Sequence, residues 1–183
     1  MNCKNRLPKE FFMQPTLKVA KNLLGKILVR RDAGEEIRAI ITETEAYRGP
    51  NDKASHASRR ITPRNKIMFG PAGHAYIYLI YGLHYCLNIV TERENYPAAV
   101  LIRGVKIAGP AAGGKILNGP GKLTKFLNID KSLNGENIFK SHNLWLENCH
   151  YQNHRAYVNK GTRIGVDYAG EWAKKQWRFF IDL

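Results

Sequence analysis

From Ala75 to Val90 the chain reads Ala-Tyr-Ile-Tyr-Leu-Ile-Tyr-Gly-Leu-His-Tyr-Cys-Leu-Asn-Ile-Val, and few architectures can absorb such a stretch. Aromatic and β-branched residues favour extended backbone. Gly82-Leu83 is a turn signal, so the segment predicts a β-hairpin with arms Ala75–Tyr81 and Tyr85–Val90. Interrupted by Gly82, His84 and Asn88, the run is too short to cross a bilayer. A lone hairpin is marginal in water, so the rest of the chain must complete a sheet around it.

Candidates for that sheet are easy to find. Lys26–Arg31 and Glu36–Ala46 read as strands joined across Asp32-Ala-Gly-Glu35, and Ala98–Arg103 reads as a third strand of the hairpin's own sheet. Leu144–Glu147 and Trp177–Ile181 are late strands. Helices are short: Leu17, Ala20, Leu23 and Leu24 follow Pro15-Thr16 at helical spacing with Gly25 as the stop, and Lys122–Asn128 is a second. Residues 1–14 read as a lead-in arm, flexible over 1–10. Segments 48–74, 104–121, Ser132–Phe139 and Arg163–Trp172 read as connections, the first long enough to carry function. The predicted fold is α+β (mixed α/β): a curved, mainly antiparallel sheet with a protruding hairpin and short flanking helices. No repeat or linker divides it, so one compact domain is expected over 1–183.

Charge narrows the function. Against 15 Asp and Glu stand 29 Lys and Arg, a net charge of +14. Such an excess suits a polyanion, because each phosphate neutralised releases condensed counterions; solubility charge, or attraction to an anionic membrane surface, are the alternatives. Cys3, Cys86 and Cys149 are far apart with no Cys-x-x-Cys pair, which argues against a disulfide framework and a zinc site. The polar N-terminus carries no signal core, so an intracellular protein is expected, cytoplasmic or associated with the nucleoid or nucleus.

Several side chains could carry chemistry. Regular alternation puts Glu43, Glu45 and Tyr47 on the side of Ile37, Ala39 and Ile41, as if the strand ran from core into a cleft; a strand end emerging into water reads the same way. Tyr76 and Tyr78 share one hairpin face and Tyr81 flanks the turn. Such rings can stack on unstacked bases, and a bulky tip can fill the gap left by an extruded nucleotide, or they can simply line a core edge. His56, between Ser55 and Ser58, could stack, donate a hydrogen bond or be solvated. Arg103 ends an apolar strand and calls for a carboxylate or phosphate partner unless it is solvated. Gly109-Pro-Ala-Ala-Gly-Gly-Lys115 imitates a phosphate loop, but Ile116 stands where magnesium needs Ser or Thr, so nucleotide hydrolysis is set aside.

The motifs also occur in a telling order. Thr42-Glu-Thr-Glu-Ala-Tyr-Arg-Gly-Pro50, the Asp52 to His56 loop, Thr62-Pro-Arg-Asn65, Met68-Phe69 and Tyr76-Ile-Tyr-Leu-Ile-Tyr-Gly82 come first. Asn88, Leu101-Ile-Arg103, Asn118-Gly-Pro-Gly-Lys-Leu123 and Ala169-Gly-Glu-Trp172 follow. The set resembles the alkyladenine (3-methyladenine) DNA glycosylase family from about Phe11 to Phe180.

That resemblance implies a monofunctional enzyme without metal or cofactor. It would flip alkylated or deaminated purines out of duplex DNA, hydrolyse the N-glycosidic bond and leave an abasic site. Glu45 would activate water as general base, and Arg103 would hold that water and the carboxylate. Tyr47 would stack on one face of the base, His56 and Tyr78 against the other, and Asn88 would sit in the pocket floor. Tyr81 would be the minor-groove wedge, with Gly82 beside it at the DNA-facing tip and Arg64 on a DNA-facing loop. The expected partner is double-stranded DNA containing damaged purines, met by a monomer with no membrane association. A non-catalytic damaged-DNA or RNA-binding domain is the rival reading.

Overall fold

Strand β2 (Glu35–Arg48) is the spine of the molecule and pairs with three other strands. The computed structural model describes residues 5–109, 114–148 and 158–182. Around β2 lie β1 (Ile27–Asp32), β3 (Ala75–Ile80), β4 (His84–Val90), β5 (Ala98–Ile107) and β6 (Ile116–Asn118). Strands β7 (Leu144–Glu147), β8 (Asn159–Gly161) and β9 (Arg178–Phe180) complete the set. The path is β3-β4-β5-β2-β1-β7, with β6 on β5, β9 on β2 and β8 on β9, antiparallel throughout. The sheet curls into a half-barrel, the α+β fold that the sequence predicts.

Short helices α1 (Lys9–Phe12), α2 (Thr16–Leu23) and α3 (Pro120–Phe126) accompany the sheet. Helix α2 buries Thr16, Val19, Ala20 and Leu23, an i, i+3, i+4, i+7 stripe. Val19, Ala20 and Leu23 join Ala39, Ile41, Val100, Ile102 and Val105 in one apolar core. Each large aliphatic side chain enclosed there is worth about 1.5–3 kcal/mol.

Some connections are more ordered than composition suggests. Residues 1–4 of the expected arm lie outside the described residues. Beyond them Leu7 and Phe12 are buried, and the Leu7 amide donates to the Leu146 carbonyl at 2.8 Å. Strand β5 does not stop at Arg103 but continues to Ile107, because Val105 and Ile107 resume the apolar alternation after Gly104. Strand β6 then folds back on it inside what reads as loop. Segment 48–74 contains a 3-10 turn at Lys66–Phe69, and helix α3 starts at Pro120, whose fixed φ suits a first helical position. Part of the phosphate-loop imitation, residues 110–113, and Cys3 and Cys149 lie outside the described residues.

Candidate active site

The site begins with a change of parity. Ala39 and Ile41 face the main core, but past an irregularity between Ile41 and Thr44 the core-facing residues are Thr44 and Ala46. Strand β5 switches at the same level, from Val100 and Ile102 to Val105 and Ile107. Both strands shift together, so Ile41 stays opposite Val105 and Thr44 opposite Ile102. Glu45 and Tyr47 therefore stand on the face away from Ala39 and Ile41, which corrects the regular-strand expectation. A regular strand would have pushed Glu45 into the core.

Gly104 makes the switch possible. A Cβ there would lie 2.9 Å from Thr42 Oγ1 and 3.0 Å from Glu43 Cβ. Gly104→Ala is expected to cost about 1–3 kcal/mol through overpacking and to loosen Glu43 against Arg103. A denaturation midpoint equal to wild type would show that the two strands have room to spare.

On the far face, strand pairing aligns Tyr76, Asn88, Leu101 and Glu45 in one row, with Tyr78 opposite Cys86 in the next. These residues line a cavity of about 500 Å³ together with Tyr47, His56, Arg64, Tyr81, Arg103, Ile164 and Tyr168. Of the site residues predicted from sequence, only Gly82 lies off its wall, at the hairpin tip. There Tyr81 (φ 50) and Gly82 (φ 69) are both left-handed, as a primed hairpin turn requires, and Tyr81 projects with 89% exposure.

Glu45 has no exposed surface at all, so it is not a solvated strand end. Its Oε1 accepts the Ile164 amide at 2.9 Å, and its Oε2 accepts the Tyr47 hydroxyl at 2.8 Å. Arg103 Nε lies 3.7 Å from Glu45 and 3.2 Å from Glu43. Burial raises the Glu45 carboxyl above the ordinary range; the Ile164 amide, Arg103 and Tyr47 pull against it, while Glu43 adds to the rise. Tyr47, Tyr76 and Tyr78 are likewise pushed up, first by burial, with Tyr76 at about 12, so all three remain neutral phenols.

His56 opens to the cavity mouth, yet its ring packs edge-on against Tyr78 (4.5 Å between centroids), and Nδ1 is 3.1 Å from the Tyr76 hydroxyl. Loss of hydration there, and next the charge of Arg64, push it down to about 4, so the imidazole is neutral at physiological pH. Arg64 donates to the Leu79 carbonyl at 3.1 Å and lies 5.0 Å over the Tyr78 ring, tying its loop to the hairpin. Asn65 fastens the same loop through bonds to the His56 and Arg60 carbonyls. Asn88 Nδ2 donates to the Tyr76 carbonyl at 3.1 Å, which fixes its side chain on the cavity wall.

A second, fully buried ion pair frames the site. Arg163 clasps Asp52 with two bonds of 2.5 and 2.9 Å, neither side chain exposed, and donates to the Ala46 and Trp172 carbonyls. Its guanidinium lies 4.8 Å over the Tyr47 ring. Asp52 also accepts the Arg48 and Ala54 amides, so the pair holds both sides of Tyr47 and the residue preceding Ile164. Sequence reasoning missed Arg163, Arg178, the Ile164 amide and the Glu43–Arg103 contact. For Arg163 the usable signal was the one that singled out Arg103: a guanidinium beside an apolar residue, needing a partner.

A buried carboxylate beside a guanidinium thus lines a ring-walled cavity on a basic protein. A family model described as methylpurine-DNA glycosylase matches residues 10–183. Relatives carrying the name "Putative 3-methyladenine DNA glycosylase" include one from Methanocella arvoryzae, 48% identical over 95% of this chain and 91% of its own length. Others come from Natranaerobius thermophilus (42% identical, 96% and 95% covered) and Legionella pneumophila strain Corby (44%, 96% and 94%). The chain belongs to the methylpurine-DNA glycosylase family, hydrolases acting on N-glycosyl bonds. Among the described residues no helix is long and apolar enough to cross a membrane.

Proposed function

We propose that this protein excises alkylated or deaminated purines from duplex DNA by flipping the nucleotide and attacking its sugar with water activated by Glu45. The observation that carries this reading is the wholly buried Glu45 carboxylate, in contact with Tyr47 and near Arg103, on the wall of a cavity of base-accommodating size. A base inside a duplex is out of reach, so the nucleotide must leave the stack, and a damaged base does so at lower cost. Tyr47 covers one face of the flipped ring, and His56 with Tyr78 the other. A cationic alkylpurine gains attraction to those faces that a normal purine lacks.

As the glycosidic bond breaks, positive charge develops on the sugar. Ionised Glu45 stabilises it and takes a proton from the attacking water. Arg103 favours the ionised form against burial. Asn88 in the floor disfavours guanine through its exocyclic amino group, and Tyr81 fills the space that the flipped nucleotide leaves. No lysine nucleophile is needed, so the product is an abasic site in an intact strand.

Single-lesion duplexes carrying 3-methyladenine, hypoxanthine or an etheno adduct test this directly. Free base should appear with no strand break until alkali is added. Binding without any released base would favour the non-catalytic reading, and spontaneous strand scission would overturn the monofunctional one. Tyr81→Ser should slow single-turnover excision from duplexes about tenfold or more, given a few kcal/mol of unstacking to offset, with little change in melting temperature. Equal rates in both proteins would remove Tyr81 from the wedge role.

A further inference from the structure

Arg103 stands in a line of four alternating charges: Arg178, Glu43, Arg103, Glu45. Glu43 Oε1 accepts Arg178 Nη1 at 2.9 Å and Arg103 Nε at 3.2 Å. Arg178 is held in turn by the Thr162 carbonyl at 2.9 Å and lies 4.8 Å over the Phe180 ring. The side chains are largely withdrawn from water, with exposures of 24% for Arg178, 13% for Glu43, 16% for Arg103 and 0% for Glu45. A second cavity, about 480 Å³ and lined by Glu43, Arg103, Arg178, Asn118 and Ile164, adjoins the first. Arg103 therefore forms part of the wall between two open spaces. Its bond to Glu43, which lines the second cavity, holds Nε between the two carboxylates, 3.2 Å from Glu43 and 3.7 Å from Glu45.

We infer that Glu43 and Arg178 are positioning residues: the pair fixes where Arg103 sits and how much of its charge Glu45 receives. This rests on the reading of Glu45 as the base. Arg178 offsets part of the Glu43 charge, so Glu43 can hold Arg103 by one bond without claiming its whole charge, and its push on Glu45 is lessened. The other groups near Glu45 are Tyr47 on its own strand, Arg103 on β5, the Cys86 thiol on β4, the Ile164 amide and Arg178, its register partner on β9, whose guanidinium is bonded to Glu43. Burial pushes the thiol up to about 11, so it is uncharged. Glu43 is then the anion through which β9 acts on the site.

The test is the acid limb of single-turnover excision, measured with enzyme in excess over a hypoxanthine duplex. Arg178→Gln leaves Glu43 unbalanced and should move that limb up by about one pH unit. Glu43→Gln should move it down by about as much and lower the plateau, because Arg103 loses its anchor. In the Glu43→Gln background, Arg178→Gln should have little further effect, since the contact its guanidinium makes toward the site is with Glu43. Arg178→Lys, which keeps the charge, should restore the wild-type limb.

A purely structural role would lower the plateau or the melting temperature without these opposite, non-additive shifts, and that pattern overturns the proposal. An acid limb present in wild type and unmoved by Arg178→Gln also overturns it while leaving Glu45 as base. Should Arg178→Gln not fold, Arg178→Met replaces it under the same criteria. Full excision by Glu45→Gln would remove the reading of Glu45 and this proposal with it.

Discussion

Replacing Glu45 by Gln is expected to slow single-turnover excision by about 10²–10⁴-fold, the usual contribution of a positioned base, while lesion-duplex affinity changes little. Gln is nearly isosteric: its Oε1 can still accept the Ile164 amide and its Nε2 can donate to the Tyr47 hydroxyl, the two groups that hold Glu45 at 2.9 and 2.8 Å. What it cannot do is take a proton from water. The pH dependence follows from the same group. Burial holds the native carboxyl above its ordinary value of 4.5. As pH falls, activity should therefore decline with a midpoint above 4.5, and the decline should be absent from the residual rate of the Gln variant.

The stability consequence has the opposite sign to that of a salt-bridged acid. The native state holds this proton more tightly than the unfolded chain, so Glu45 adds stability at acid pH and loses that contribution as pH rises through the native value. His56 works against it. The native imidazole at about 4 loses to an unfolded chain that protonates near 6.5, so its contribution is lost as pH falls between those values. An excision rate flat down to pH 4, or full activity in Glu45→Gln, would exclude the carboxylate as base.

Asp52→Asn carries the other large effect. Asp52 and Arg163 are both without exposed side-chain surface, and breaking such a pair strands a charge in the interior at a cost of about 3–5 kcal/mol. The loss should appear as a lower urea midpoint with unchanged slope. Because Arg163 covers Tyr47 and precedes Ile164, excision should fall as well, even at temperatures where the variant is folded. Removing both charges in Asp52→Asn/Arg163→Met should recover part of the stability but not the activity. A midpoint shift worth less than about 1 kcal/mol, the upper end for an exposed pair, would show that water reaches the pair.

The sheet was legible where alternation is regular. The hairpin and β2 as far as Ile41 present apolar residues at every second position, β1 and β7 hold short apolar runs, and turn residues mark their ends. The glycine-rich character of 104–121 hid the end of β5, because Gly104 looks like a loop and is in fact the close-approach point between strands. The parity switch at Ile41–Thr44 was hidden for a deeper reason. It is a property of two strands deforming together, and neither strand's own pattern records it. Glu45, Tyr47, Tyr78 and Asn88 were named through motif order, and strand pairing brings them to one cavity. Arg163 carried a local sign of needing a partner, but that partner is 111 residues away in a loop and nothing local names it.

The Ile164 amide reaches Glu45 across 119 residues, and β9 reaches β2 across a similar span. A ribosome releases the aromatic slot and its acid long before it has made the segment that restrains them. Until that segment docks, a nascent chain presents a basic, ring-lined surface whose carboxylate lacks the Ile164 amide. The restraint on the acid thus waits on contacts of long sequence separation, whose loop-closure cost must be met before they form.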